Sequence, residues 1–423
     1  MLSRAQVVAA YRGSKRRVYE NAHKDLLESP IHKRDARLTS FVKFEKQDIG
    51  KAPRCINPRS PRYNLELGRF LKHAEKHYFK AINLAYGAHT PATVIKGVNA
   101  DVSACILRAK WDRFTDPIAV GLDASKFDMH VSVPALKYEH SYYVSLFPRS
   151  KLLRRLLKWQ LFNGGVARAR DGIVKFGIEG TRSSGDLNTS LGNCILMCAL
   201  VWSYLRTIRI DAELANNGDD CVVFLERRDE GRFRMNLCRW FRKRGFDIKL
   251  EPTVCEFEHV EFCQTRPIQL STGWRMVRNL SAVLTKDPMC LVPVPNSRVL
   301  RKWLDAVGTC GGALCGGVPV MGALYACFKR HGLPCGKLIE EVYRNRAQLQ
   351  LSVGLKQAEV TAVARVSFYY AFGVLPDEQV ALERWYDGIV IDCNLPVGIE
   401  RQDLHSLPGP NAVLSDILNW QHG

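Results

Sequence analysis

No two cysteines stand three positions apart anywhere in the 423 residues. This excludes the paired Cys-x-x-Cys ligands of a zinc finger. The fourteen cysteines that do occur are no disulfide framework either. Several lie in apolar runs such as "GNCILMCALVW", where a reduced thiol packs as a small hydrophobe, and a reducing compartment is expected. His73 and His77 are four apart but lack neighbouring thiolates, so no metal is expected there. An unbroken membrane-length apolar run is also missing. The longest uncharged stretch, Val307 to Phe328, is interrupted by glycines and Pro319, and reads as buried helices with close backbone packing. No transmembrane segment is expected. The N-terminal "MLSRAQVVAAYRGSKRR" is Arg-rich and acid-free like an organelle presequence, but its apolar part is too short for a secretory signal.

Acids are scarce relative to bases. Lysine plus arginine number 61 against 42 aspartates and glutamates, a formal charge of +19. Such a surplus points to a polyanionic partner, nucleic acid or an acidic membrane surface. With 46% hydrophobic and 24% charged residues, the chain is an ordered globular protein with a substantial core.

The first third is basic and turn-rich. Pro53, Pro58 and Pro61 in "KAPRCINPRSPRYN" forbid a long helix, so this segment reads as an extended arm. Arg54, Arg59 and Arg62 would project from it as guanidinium forks suited to phosphates, while Asp35, Glu45 and Asp48 offer the only acidic opposition nearby. "NLELGRFLKHAEKHYFKAINLAYG" reads as one amphipathic helix. In "DPIAVGLDASKFDMHVSVPALKYEH", a strand ends at Asp123 and a helix begins near Val133. The step from Asp123 to Asp128 suits a strand-to-loop passage that presents both acids at one mouth. "GIEGTRSSGDLNTSLGNCILMCALVWSYL" is a Gly/Ser-rich loop entering a long helix, with Ser184 or Asp186 expected as N-cap. Thr189 and Asn193 share one face of that helix.

"LANNGDDCVVFLE" then sets two acids side by side between apolar runs. Asn217-Gly218 is a hairpin signal, and Asp219 and Asp220 fall on its turn. Adjacent carboxylates repel, so the pair makes sense beneath a multivalent cation. With Asp123 on a neighbouring strand, three carboxylates would form an oxygen-only nest suited to Mg²⁺ or Mn²⁺. Two such ions about 3.5–4 Å apart can activate an attacking hydroxyl and stabilise a leaving oxygen. "WFRKRGFDIKLEP" reads as helix, glycine stop and strand, "HVEFCQTRPIQL" as a short hairpin, and the chain after about Leu280 as mostly helical.

Two metals alone do not separate a polymerase from a nuclease. The ordered set "DASKFD", "SSGDLNTSLGN" and "NGDD" resembles motifs A, B and C of the RNA-dependent RNA polymerases of positive-strand RNA viruses. "FVKFEKQDIGKAPRCINPRSPRYNLELGRFLK", "EFCQTRP" and "CGGALCGGVPVMGALYACFKRHG" are similar to segments of tombusvirus-family and umbravirus-like replicases, and the resemblance runs from Tyr11 to Gly332. It implies an α+β right-hand fold: fingers over 1–115, a palm of antiparallel sheet backed by helices over 116–265 with a fingers insertion around 140–180, and a mostly helical thumb over 266–423.

The resemblance also implies roles. Asp123 and Asp219 would ligate two Mg²⁺ or Mn²⁺ ions, with Asp220 as a weaker or outer ligand. Asp128 and Asn193 would recognise the ribose 2′-hydroxyl, supported by Ser184, Gly185 and Thr189. Lys43, Lys51 and Arg54 would neutralise the triphosphate, and Lys249 would protonate the departing pyrophosphate. Arg59, Arg62, Arg182 and the primer-grip residues Phe262, Cys263 and Gln264 would contact RNA. The partners implied are viral template and nascent RNA, NTPs and a membrane-anchored viral replication protein. That protein, or an N-terminal extension, would bring the enzyme to membrane-associated complexes in the host cytoplasm. A reverse transcriptase shares the palm and metals but excludes the 2′-hydroxyl with a bulky aromatic. A non-catalytic basic RNA-binding or capsid protein accounts for the charge but not for the acids.

Overall fold

The computed structural model describes residues 1–46, 50–169, 171–291, 294–334, 352, 354–355 and 358–394. Asp48 and the last stretch of the expected thumb, 395–423, lie outside the described residues. Mixed helix and sheet make this an α+β protein. Its contacts define two units: Met1–Lys43, Pro53–Ile95 and Asp112–Thr253 in one, Phe44–Ala52, Lys96–Trp111 and the chain from Val254 in the other. These units cut across the expected three-part boundaries.

The strands in chain order are β1 (Leu38–Val42), β2 (Cys55–Ile56), β3 (Pro117–Ala124), β4 (Phe162–Ala169), β5 (Gly172–Glu179), β6 (Ala212–Asn217), β7 (Asp220–Glu226), β8 (Ile248–Val254), β9 (Thr265–Leu270) and β10 (Gly273–Arg278). The first unit holds two four-stranded sheets, ordered β2-β1-β4-β5 and β6-β7-β3-β8. In the second sheet, β7 pairs antiparallel with both neighbours, Leu122 opposite Cys221 and Asn216 opposite Cys221 on the other side.

The inner strands β3 and β7 are buried on both faces, with Ala119, Val222 and Phe224 on the face opposite Ile118, Val120 and Leu122. Ile118, Val120 and Leu122 of β3, with Cys221, Val223 and Leu225 of β7, enter one buried core. Opposite them lies the helix Thr189–Ile208, which contributes Cys194, Met197, Cys198, Val201, Tyr204 and Leu205. Each Val, Leu, Ile or Met side chain among them contributes about 1.5–3 kcal/mol when fully buried. Among the described residues this is the one helix long and apolar enough to cross a membrane, and 61% of its apolar window is packed inside the protein. Its apolar character is that of a helix backing a sheet.

Two local expectations change. The long amphipathic helix is two helices, Pro61–Leu71 and Glu75–Ala85. Pro61 starts the first of them, where its missing N–H costs nothing, and Ser60 caps Tyr63 N. The sheet-backing helix begins at Thr189 after Asn188, not after Ser184 or Asp186. Both expected caps are engaged elsewhere: Ser184 Oγ with Asn57 N and Cys55 O, and the Asp186 carboxylate with Arg59.

In the second unit the hairpin β9–β10 packs with the helices Ser297–Cys315, Met321–His331, Ala362–Phe372 and Pro376–Gly388 around a core of its own. The uncharged stretch expected to form close-packed helices does so. A Cβ on Gly308 would stand 2.5 Å from Lys329 N, and one on Gly311 would enter the Tyr325 ring.

Candidate active site

The β6–β7 hairpin closes on the two residues Gly218 and Asp219, flanked by the pair Asn217–Asp220. Gly218 has φ +89°, which a side chain would resist, and this matches a turn with glycine at its first central position. The expected Asn-Gly centre is therefore shifted by one residue. Asn216 fixes the shift: its Nδ2 donates to Gly218 O at 2.7 Å, and its Oδ1 accepts from Gly218 N at 3.2 Å.

One step beyond the Leu122–Cys221 pair, the register brings Asp123 opposite Asp220. Both lie on the sheet face turned away from the buried core. The Ser125 amide donates to Asp247 O at 3.0 Å, and the Glu251 carboxylate fills the space a Gly121 side chain would take. Those two contacts run β8 against β3 and set Lys249 across from Asp123. Asn217, Asp220, Asp123 and Lys249 thus form one row across four strands. Asp123, Asp219, Asp220 and Lys249 are all exposed.

Among the described residues, Asp123 and Asp219 form no ion pair or hydrogen bond with a protein side chain. Nor do any three His, Cys, Asp or Glu side chains among the described residues gather as a ready ligand cluster. Bare carboxylates repel, and close approach needs a cation between them. An oxygen-only donor set at the end of adjacent strands fits a hard divalent ion better than zinc or copper.

Beside this row the chain turns back. Lys126 takes a left-handed conformation, φ 48°, and starts the short helix Phe127–His130. The Phe127 ring stacks on Phe246 at 4.8 Å and anchors the turn. It leaves Asp128 half-buried, accepting from Asn193 Nδ2 at 2.8 Å. Burial pushes the Asp128 carboxyl above its ordinary range, Asn193 and Arg182 oppose the rise, and the charge of Asp219 adds to it. Asp219 and Asp128 therefore feel one another. A Cβ on Gly218 would lie 3.7 Å from Asn193 Cβ, so the hairpin turn and the start of the long helix are neighbours.

The Gly/Ser loop is held by the arm. Ser183 Oγ donates to Asn57 O at 2.7 Å, Thr189 Oγ1 to Ser183 O at 2.8 Å, and Pro58 N would stand 2.6 Å from a Cβ on Gly185. Glycine is required there by backbone contact.

Three arginines expected to contact RNA are engaged by protein groups. Arg59 is 4% exposed and donates to Asp186, Ala36 O and Asn163. Arg182, also 4% exposed, is clamped on Glu139. Arg62 donates to Asp35, Ser29 O and Pro30 O. In each case a carboxylate distant in sequence satisfies the guanidinium. Lys43, half-buried, follows β1 and Arg54, exposed, precedes β2, and Lys43 N donates to Arg54 O at 2.8 Å. Lys51 is exposed and belongs to the second unit. There too, Phe262 and Thr265 exchange backbone hydrogen bonds around Cys263 and Gln264, both at positive φ. Phe262 is 4% exposed, so only Cys263 and Gln264 form the tip.

The family model for viral RNA-dependent RNA polymerases matches residues 1–394. The chain belongs to that family. It is similar to the RNA-directed RNA polymerase of tomato bushy stunt virus (strain Cherry), 44% identical over 383 residues, covering 89% of this chain and 46% of the relative. The RNA-directed RNA polymerase of tobacco necrosis virus (strain A) is 43% identical over 394 residues, covering 90% and 53%. That of turnip crinkle virus is 40% identical over 403 residues, covering 93% and 51%. The chain spans about half the length of these relatives.

Two residues of this polymerase-family site were not anticipated. Asn216 braces the acidic turn, and its place in "ANNGDD" was the available signal. Glu139 holds Arg182 from the middle of the helix Val133–Leu146, and nothing in "KYEHSYY" marks it.

Proposed function

We propose that this chain synthesises RNA on an RNA template, joining NTPs to an RNA 3′-hydroxyl with release of pyrophosphate, in replication of a positive-strand viral genome. The observation that carries this reading is the exposed row of Asp220, Asp123 and Lys249 beside the Asp128–Asn193 pair. In this reading the sheet β6-β7-β3-β8 is the palm, the basic segments around it are fingers, and the C-terminal helices are the thumb. Asp123, Asp219 and Asp220 would hold two Mg²⁺ or Mn²⁺ ions, whose chemistry is to acidify the attacking hydroxyl and neutralise charge on the phosphates.

The chain's own groups do the rest. Asp128 and Asn193 offer an acceptor and a donor, the complement of a ribose 2′-hydroxyl. Ser184, Gly185 and Thr189 shape the loop beneath the nucleotide. Lys43 and Arg54 meet the triphosphate as cations. Lys249 gives a proton to the leaving pyrophosphate, and the Cys263–Gln264 tip supports the product strand. Arg59, Arg62 and Arg182 hold protein to protein in this scheme, not protein to RNA. A membrane-anchored viral protein, or an extension preceding these residues, brings the enzyme to host membranes.

Primer extension on an RNA template, with NTPs against dNTPs, tests the reading. NTP incorporation that requires Mg²⁺ or Mn²⁺ and disappears in Asp219→Ala is the expected result. Full activity in that variant rejects the assigned site, and preference for dNTPs favours a reverse transcriptase.

A further inference from the structure

Behind the Asp128–Asn193 pair lies a chain of buried polar contacts with no substrate-facing atom of its own. Arg182 Nε donates to Asn193 Oδ1 at 3.1 Å, and Arg182 N donates to Asp128 O at 2.7 Å. One arginine thus grips both partners, one through its side chain and the other through its backbone. The guanidinium is fixed in turn by Glu139, which takes Nη1 at 3.2 Å and Nη2 as well. Glu139 also accepts from Tyr143 OH at 2.6 Å and from Asn188 Nδ2 at 2.8 Å. Glu139 and Tyr143 are fully buried, and Arg182 and Asn188 nearly so. Gly192 completes the fit: a Cβ there would stand 2.5 Å from Arg182 Nη2.

We propose that Glu139 and Arg182 are positioning residues for ribose selection, acting by fixing which way the Asn193 amide faces. The inference rests on the polymerase reading above. An asparagine amide can turn end for end, and its partners decide which end faces where. With Oδ1 held by Arg182, only Nδ2 can face Asp128. One hydrogen of Nδ2 goes to Asp128 Oδ1, which leaves the second hydrogen and Asp128 Oδ2 for a ligand. A 2′-hydroxyl accepts from the first and donates to the second. A 2′-deoxyribose does neither, and it leaves both polar atoms unsatisfied.

Glu139 is needed because Arg182 would otherwise be a buried, unneutralised charge able to swing toward Asp128. Burial raises the Glu139 carboxyl, but the charge and hydrogen bonds of Arg182 outweigh it and hold the group below the ordinary carboxylate range. The Arg182 guanidinium remains charged for the same reason in reverse. The fork geometry matters as much as the charge, since a lysine ammonium lacks the rigid planar fork that presents separate N–H groups to the Glu139 carboxylate and the Asn193 oxygen.

The test is steady-state incorporation of a matched NTP and dNTP by the intact chain and by Arg182→Lys, Glu139→Gln and Tyr143→Phe, each checked for folding by thermal melting. Tyr143→Phe removes a single hydrogen bond from Glu139 and serves where the charge changes unfold the protein. The expected result is an NTP-over-dNTP preference reduced about ten- to a hundredfold in Arg182→Lys and Glu139→Gln. The reduction should come from a raised KM for the NTP while the dNTP values change little. Tyr143→Phe should show the same split at smaller size. An unchanged preference in every folded variant, with both substrates slowed alike, overturns the proposal and leaves the polymerase reading standing. A wild-type chain that does not prefer NTPs overturns both.

Discussion

Two clusters of charge in the first unit are built on opposite principles. Around the loop Arg182–Asp186, the guanidinium and carboxylate groups are buried and matched: Arg59 with Asp186, Arg182 with Glu139. At the ends of β3 and the β6–β7 turn, carboxylates are exposed, and Asp123 and Asp219 have no protein partner among the described residues. A buried ion pair adds little net stability over an apolar core, but removing one partner strands the other, so such pairs fix a geometry firmly. Exposed like charges weaken a fold slightly and attract cations. The first cluster therefore holds a shape and the second waits for a ligand. The sign of the whole chain does not distinguish them; burial does.

The largest effect that would break this contrast is on stability. Glu139→Ala leaves Arg182 buried without a counter-charge and should cost about 3–5 kcal/mol, read by denaturant unfolding. The pH dependence has a definite sign. Glu139 titrates below its ordinary value near 4.5 when folded, so its contribution is complete above that value and is lost as pH falls below it. The gap in stability between wild type and Glu139→Gln should thus be full at neutral pH and close on acidification. A gap that widens in acid would contradict the assignment.

The next effect falls on activity without stability. Asp123→Asn should lower nucleotide incorporation by about a hundredfold or more while the melting temperature holds or rises slightly, because a repelling charge is removed. A variant that melts early would move Asp123 from the second cluster to the first. The smallest effect sharpens the boundary. Arg227 pairs with Asp116 at 2.8 Å on the surface, both side chains about half exposed. Arg227→Ala should change stability by less than about 1 kcal/mol by the same unfolding measurement.

Much of this was readable along the chain. The apolar runs "CVVFLE" and "GNCILMCALVW" specify a buried strand and a sheet-backing helix, and the family motifs name Asp123, Asp128, Asn193 and Asp219. Arg59 and Arg62 of the arm go to protein carboxylates instead, because a guanidinium is satisfied equally by phosphate and by carboxylate. Nothing local tells Arg59 that Asp186, 127 residues away, will reach it first. The helix start failed for the same reason, since Asp186 and Ser184 had partners across the fold that outbid a cap. The break between Leu71 and Glu75 lacks any Gly or Pro to announce it.

By itself the sequence determined the chemistry on offer: which residues are acidic, which helix is apolar, and where a glycine permits a two-residue turn. Those are properties of side chains and of neighbours within a few positions. Only the tertiary structure decided which charges are spent inside the protein and which remain for a ligand. That outcome depends on strand register and on burial, both set by contacts between residues far apart in the chain, and a carboxylate has no way of carrying them in its own identity.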